Sequence, residues 1–233
     1  MPALQGREVS AARAIAIDGP SAAGKTAVGT RVAHELGYRF IDTGMMYRAV
    51  TWLALEKQLD LHDESALAKL ALATDIAIEP PAADGPGRVL VDGDDITDRL
   101  RTTEVGEAVS LVSRVPGVRT AMVAVQRRLA EEGGIVMAGR DIGTVVMPEA
   151  LLKAYLDASL DERVRRRHQE LLAMGRVMTE QDVRDELSLR DRIDSERAVS
   201  PLRPAGDAEV IDTDHLPLEE VVARIMELVP CRS

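Results

Sequence analysis

The sequence predicts an α/β fold, a parallel sheet flanked by helices, and three observations carry that prediction. Short apolar runs at Ala14–Asp18, 38–41, 135–138, Leu152–Asp157 and Glu209–Asp212 are separated by stretches with helical periodicity, the alternation expected of a parallel sheet. A glycine-rich segment, 19–26, stands between the first run and the first helical pattern. No apolar stretch approaches the ~20 residues that a membrane helix needs.

Taken in order, AIAID (Ala14–Asp18) reads as a strand that stops at Gly19-Pro20. From 27 to 36, Val28, Val32 and Leu36 recur at helical spacing before Gly37. A second strand, 38–41, leads through Asp42-Thr43-Gly44 into a helix over 45–57. The rhythm then breaks across 61–113: a short helix at Glu64–Ala73, strands at 75–79 and Arg88–Val91, a Pro/Gly-rich loop at 80–87 and a turn at Asp92-Gly93 indicate an inserted α+β subdomain. Pro116 is placed to start a long helix whose core stripe is Met122, Val125 and Leu129 and which stops at Gly133-Gly134. A charged helical pair, 161–173 and 179–192, hinges at Gly175 as a second insertion.

Composition removes several function classes. The chain has 233 residues, with 29 basic against 39 acidic side chains for a net charge of −10. That balance, with only five aromatics (Tyr38, Phe40, Tyr47, Trp52, Tyr155), argues against nucleic-acid binding, which usually relies on basic surface and stacking platforms. A single cysteine, Cys231, excludes an intrachain disulfide, a multi-thiolate metal site and dithiol redox chemistry. Residues 1–18 show no sustained apolar segment with a cleavage site, so a cytoplasmic protein without a membrane partner is expected. Of the basic residues 25 are Arg and four are Lys, a ratio suited to bidentate capture of phosphate, although codon bias gives the same ratio.

Gly19, Pro20, Ser21, Ala22, Ala23, Gly24, Lys25 and Thr26 match G-x-x-x-x-G-K-S/T in the strand-to-helix context that the mechanism requires. Such a loop offers successive backbone N–H groups to a phosphate at a helix N-terminus. Lys25 would reach the β- and γ-phosphates of ATP, and Thr26 would ligate Mg²⁺. A GTPase would read guanine with N-K-x-D, and this chain contains no Asn. Small-molecule kinases remain, and these need arginines for the acceptor on loops at the C-terminal ends of the strands. Two such segments follow strands: 42–48 (DTGMMYR) and 139–144 (GRDIGT).

Together with IDGPSAAGKT, GRDIGTVVMP and RDRIDSERAVSPLRPAGDAEVIDT, these segments resemble the bacterial cytidylate kinases over nearly the whole chain from about Arg13. The resemblance implies a P-loop kinase core formed by 13–60, 114–160 and 193–233, a nucleoside-monophosphate-binding insertion at 61–113 and a lid at 161–192. It implies γ-phosphoryl transfer from ATP to CMP or dCMP, by a monomer. Arg48, Arg140 and Arg197 match positions that hold the acceptor phosphate, with Thr43 on the same side. Asp141, Ser110 and Arg119 match base-contacting positions, and they supply the acceptor for cytosine N4 and donors for N3 and O2. Arg190 and Asp194 match positions at the sugar; the lid arginines of that family close over the transferring phosphates, which implies the role for at least one of Arg163, Arg166 and Arg167, and spacing does not say which. Taken alone, Asp141 would read as a helix cap, Ser110 as a buried helical hydroxyl and Arg119 as a solvated helix residue. Ala22 stands where glycine is usual, so its backbone must take a negative φ or be strained. Two other readings stay open: a P-loop kinase for UMP or another small acceptor, and a regulatory module that binds nucleotide without transferring phosphate.

Overall fold

The structure, a computed structural model, describes residues 13–79 and 87–230. The N-terminal residues bearing on a signal sequence, most of the 80–87 loop and Cys231 lie outside the described residues.

Five strands, β1 (Ala14–Asp18), β2 (Arg39–Asp42), β6 (Ile135–Gly139), β7 (Leu152–Asp157) and β8 (Glu209–Asp212), form one sheet in the order β2-β6-β1-β7-β8. Every pairing in it is parallel, as the alternation of strands and helices predicted. All residues of β1 and β6 are buried, which accounts for their reading as continuous apolar runs rather than alternating ones. The chain works on one side of β1 through β6 and crosses to the other side for β7. Ligands of open α/β sheets bind at the carboxyl edge near such a reversal.

Local chemistry sets the helix starts. Helix α1 (Lys25–Leu36) leaves the glycine-rich loop through Gly24 in a left-handed conformation and ends at Gly37 in another. Helix α2 (Thr43–Glu56) begins two residues before the predicted 45, because the Asp42 carboxylate accepts from Gly44 N at 2.9 Å and caps it. Asp63 caps α3 (Glu64–Ala73), and Pro116 occupies the first turn of α5 (Pro116–Glu131). Ser159 caps α6 (Leu160–Ala173), and a reciprocal box of Thr179 and Asp182 caps α7 (Glu180–Glu196). Helix α8 (Leu218–Leu228) closes the described chain.

The 61–113 segment is more elaborate than the sequence suggested. Besides α3, β3 (Ile76–Glu79) and β4 (Arg88–Val91), it holds a two-residue strand β5 (Asp94–Asp95), a 3-10 turn at Thr97–Arg101 and helix α4 (Thr103–Ser113). The three strands pair antiparallel in a sheet of their own. The segment has no separate core, however. Leu67, Ile76, Val89, Leu100 and Val109 pack in one cluster with Met46 and Val50 of α2 and with Met122 of α5. A second difference concerns the charged helical pair: α7 runs on to Glu196, so the expected divide between 192 and 193 falls inside one continuous helix. Among the described residues no single helix is long and apolar enough to cross a membrane.

Candidate active site

The phosphate loop lies where β1 hands over to α1. At Gly19 φ is +149°, and an added Cβ would overlap the carbonyl oxygen of Leu156, so only glycine fits. Ala22 takes the strained alternative foreseen for it, with φ +62°. The Lys25 ammonium is buried and donates to the Pro20 carbonyl at 2.6 Å. Burial, followed by repulsion from Arg140, holds its pKa well below the usual lysine value, with Asp42 and Asp18 acting against the shift. A polyphosphate beside it would favour the charged form. A cavity of about 280 Å³ opens over Gly24, Lys25 and Thr26, with Arg166, Arg167 and Glu170 on its far wall.

At the carboxyl edge of β6 the predicted acceptor residues come together, except Ser110 and except Arg48, which lines a separate cleft. Thr43, Arg119, Arg140, Asp141, Arg190, Asp194 and Arg197 line one narrow void of about 40 Å³, with Tyr47, Val109 and Ser113. Arg119 Nη2 donates to Asp141 at 2.6 Å and Arg197 Nη2 lies 3.8 Å from the same carboxylate. Arg140 Nε reaches Asp194 at 2.9 Å, and Arg197 Nη1 reaches its other oxygen at 3.3 Å. Arg119 is only 1% exposed and its guanidinium lies 5.2 Å over the Tyr47 ring, so it is not a solvated helix residue. Nor does the Asp141 side chain cap the π-helical turn Ile142–Val146 that follows it. Gly139 lets the loop approach: an added Cβ would press on Ile142 and on the Thr43 hydroxyl. Ser110 does not line the void, whose wall at α4 is Val109 and Ser113, and its carbonyl accepts from the Ser113 hydroxyl at 3.4 Å.

Charge in this void is unbalanced, since four guanidiniums face two carboxylates. Burial and the neighbouring Arg140 push Arg190 down to about 10, and burial with Arg119 lowers Arg197. Burial works to raise the Asp194 pKa, but Arg140, Arg190 and Arg197 more than offset it and hold the carboxylate below its ordinary range. Burial also works against the Arg119 charge, and Tyr47 and Asp141 outweigh it to raise its pKa. The arrangement is poised to take up a dianion.

The three lid arginines do not share one environment. Arg163, expected on the phosphate-facing side, turns inward: it donates to Ala158 O, to Ser21 O and to Asp191 and is 6% exposed. One helical turn on, Arg166 donates to Glu162 and to the hydroxyl and carbonyl of Thr213 beside the phosphate loop. Arg167 donates to Glu170 and lines a cleft of about 540 Å³ between α6 and the 61–113 segment. Arg48 faces that cleft and donates to the Leu100 carbonyl at 3.1 Å; burial and repulsion from Arg167 lower its pKa.

Several lining residues escaped the sequence reading. Arg101 and Arg176 face the same cleft, and Arg176 donates to the Arg101 carbonyl at 2.6 Å. A further cavity of about 510 Å³ lies between α1 and the start of α8, lined by Ala27, Val28, Arg165, His215, Leu216 and Pro217 among others. Nothing in the local pattern of 213–218 marks it; proximity to the phosphate loop is created by β8 pairing beside β7.

The chemistry of the loop suits a hard cation. Thr26 Oγ1 donates to Asp42 Oδ2 at 2.8 Å at the exposed lip of the loop, so a hydroxyl and a carboxylate already converge there. Mg²⁺ characteristically takes one or two protein oxygens and completes its shell with phosphates and water. Among the described residues no group of three or more His, Cys, Asp or Glu is arranged for a metal.

Residues 15–231 match the family profile described as cytidylate kinase. The chain is 54% identical over 215 residues to a cytidylate kinase of Geobacillus kaustophilus, covering 92% of this chain and 95% of that one. It is 49% identical, at the same coverage, to a cytidylate kinase of Pelotomaculum thermopropionicum. Among solved structures, an uncharacterized protein from Eubacterium ventriosum matches with a TM-score of 0.53 at 11% identity, over 94% of this chain and 99% of that one, a likeness of fold. With a profile spanning almost every residue and relatives near half identity, the chain belongs to the cytidylate kinase family.

Proposed function

We propose that the protein transfers the γ-phosphoryl group of ATP to CMP and dCMP, releasing ADP and the nucleoside diphosphate. The observation that carries this reading is the void with four guanidiniums and two carboxylates. Its two uncompensated positive charges equal the charge of a nucleoside monophosphate, about −1.5 to −2 at neutral pH. Arg140 and Arg197 hold that phosphate with Thr43 beside it, and Arg48 reaches toward it from the neighbouring cleft. Asp141, which can only accept, takes the cytosine amino group, while Arg119, with Ser110 or its neighbour Ser113, donates to N3 and O2. Arg190 and Asp194 take the sugar, so Asp194 matters more for CMP, with its extra hydroxyl, than for dCMP.

The attacking oxygen belongs to a phosphate already ionised, so no strong general base is required. It forms a bond to the γ-phosphorus as the bond to the β–γ bridging oxygen breaks, and ADP leaves with that electron pair. Catalysis is positioning and neutralisation. Residues 19–26 present N–H groups to the phosphates, and Lys25 exchanges its Pro20 contact for them. Arg166 and Arg167 cover the transfer site from α6, while Arg163 supports the loop through Ser21 O. Thr26, with Asp42, would hold Mg²⁺, which supplies charge neutralisation at the phosphate oxygens when bound. The cavity beside His215 and Pro217 accommodates the donor nucleoside.

Segments 61–113 and 161–192 act as the acceptor-binding unit and the lid on the remaining core. That all of these residues come from one chain supports a monomer, and ATP and CMP as substrates support a cytoplasmic enzyme. The test is acceptor profiling at fixed ATP: CMP and dCMP are expected to release ADP at least tenfold faster than UMP, AMP or GMP. Preference for another acceptor would overturn the reading, as would ADP release that ignores the acceptor.

A further inference from the structure

Asp18 ends β1, directly before Gly19 of the phosphate loop, and is in register with Gly139 on one side and Tyr155 on the other. It is 4% exposed, and none of the chemistry above uses it. Its two oxygens are both occupied. Oδ1 accepts from Ile142 N at 2.8 Å and Oδ2 accepts from Gly143 N at 2.7 Å. Those two N–H groups open the turn that follows Arg140 and Asp141, where a helical turn has no backbone partner of its own to offer. The turn packs closely at Gly143, where an added Cβ would stand 3.4 Å from Oδ2 and 3.3 Å from the Lys153 side chain.

We propose that Asp18 is a positioning residue for the acceptor: its carboxylate ties the Arg140-Asp141 loop to the end of β1 and so fixes the cytosine and phosphate contacts relative to the phosphate loop. This rests on the CMP-kinase reading. One carboxylate at the end of β1, next in sequence to the phosphate loop, grips the acceptor loop through two N–H groups, each accepted by its own oxygen. An arginine clamp and a base acceptor displaced by even 1 Å lose effectiveness steeply, so the tie bears on acceptor capture more than on the fold.

The charged surroundings fit a tie that is ionised at neutral pH. Lys25 faces Asp18 from α1 and favours its charge, while Asp141, in the loop it holds, opposes it. Arg140 and Asp141 flank the gripped turn, and from β7 Lys153 packs beneath Gly143 but sends its ammonium to Asp207, with Tyr155 in register alongside. Burial pushes the carboxyl up to about 6 against the pull of the Gly143 and Ile142 N–H groups.

Asp18→Asn tests the proposal, because the amide keeps the volume but turns an NH₂ toward one of the two N–H donors. KM for CMP is expected to rise at least tenfold while KM for ATP stays within twofold. A general loss of folding would lower the apparent kcat through the active fraction and leave both KM values where they were. Equal changes in the two constants, or no change in either, would overturn the role of Asp18 while the unmodified enzyme remained a CMP kinase. Failure of the unmodified enzyme to phosphorylate CMP would overturn the functional reading and this one with it. Should Asp18→Asn not fold, hydrogen exchange on the unmodified enzyme decides. The Ile142 and Gly143 amides must be protected as strongly as those of β1, and exchange at the rate of an open loop would sink the tie.

Discussion

Replacing Asp141 by asparagine is expected to have two separable effects, because this carboxylate is at once the partner of Arg119 and the reader of the base. Arg119 is almost wholly buried, so halving its ion pair leaves an undercompensated charge and should destabilise the fold by about 3 kcal/mol in urea titrations. Separately, an amide can rotate to donate to the uracil O4, so the ratio of kcat/KM for CMP over UMP should fall; an unchanged ratio in an active variant would place cytosine readout elsewhere. Asp18 gives a second residue-level expectation, this time in pH. Its carboxyl is raised from 3.8 to about 6, so the folded chain holds the proton more tightly than the unfolded chain. Its contribution to stability is therefore fully present below about pH 4, is lost as pH rises to about 6, and is constant above that. By linkage the loss is on the order of 3 kcal/mol. Asp18→Asn should flatten the stability curve over that window relative to the unmodified protein, and parallel curves would contradict the assignment.

At the scale of elements, the α6–α7 hairpin and the 61–113 segment differ in what holds them. The hairpin has its own small core of Val164, Leu171, Val183 and Leu187 and is tied across the cleft through Arg176 and the Arg101 carbonyl. By contrast α3, β3 and β4 share a continuous core with α2 and α5. Binding of ATP and CMP together should therefore raise amide protection chiefly in 160–196 and in α4, with α3 and β3 changing little; uniform protection would mean that both segments move as rigid bodies. The sequence disclosed these elements unevenly. Strands β1 and β6 were legible because full burial writes an unbroken apolar run, and the phosphate loop because its glycines and lysine admit few alternatives. Helix α4 was legible only as the helical setting of Ser110, its bounds obscured by valines, which suit strands as well as helices, although Val105, Val109 and Val112 keep helical spacing. The inward turn of Arg163 was not legible, since spacing places it beside Arg166 and Arg167 and only the Asp191 partner from α7 draws it in. Likewise the 213–218 wall of the cavity depends on sheet order, which a local pattern does not carry.

For the molecule as a whole, a net charge of −10 sets the problem of admitting two polyanions, and the chain solves it by concentrating arginine in the clefts. The four guanidiniums of the acceptor void repel one another, and Arg119, Arg140 and Arg197 pair with Asp141 and Asp194, so part of the folding free energy is held back by unneutralised charge. A ligand that supplies the dianion should release it, whereas one that supplies only the base should not. CMP at about 100 times its Kd is then expected to add about 2.7 kcal/mol to the stability of the folded state by mass action, a rise of roughly 5 to 11 °C in Tm at about 2 to 4 °C per kcal/mol for a chain of this size. Cytidine at the same concentration should give less than a fifth of that shift, and the CMP shift should shrink as ionic strength rises and the Debye length falls below about 10 Å. Thermal melts with CMP, cytidine and inorganic phosphate at two salt concentrations make the comparison. If cytidine stabilised the protein as well as CMP did, the guanidiniums would not be the seat of acceptor binding, and the surplus charge at the edge of β6 would need another occupant.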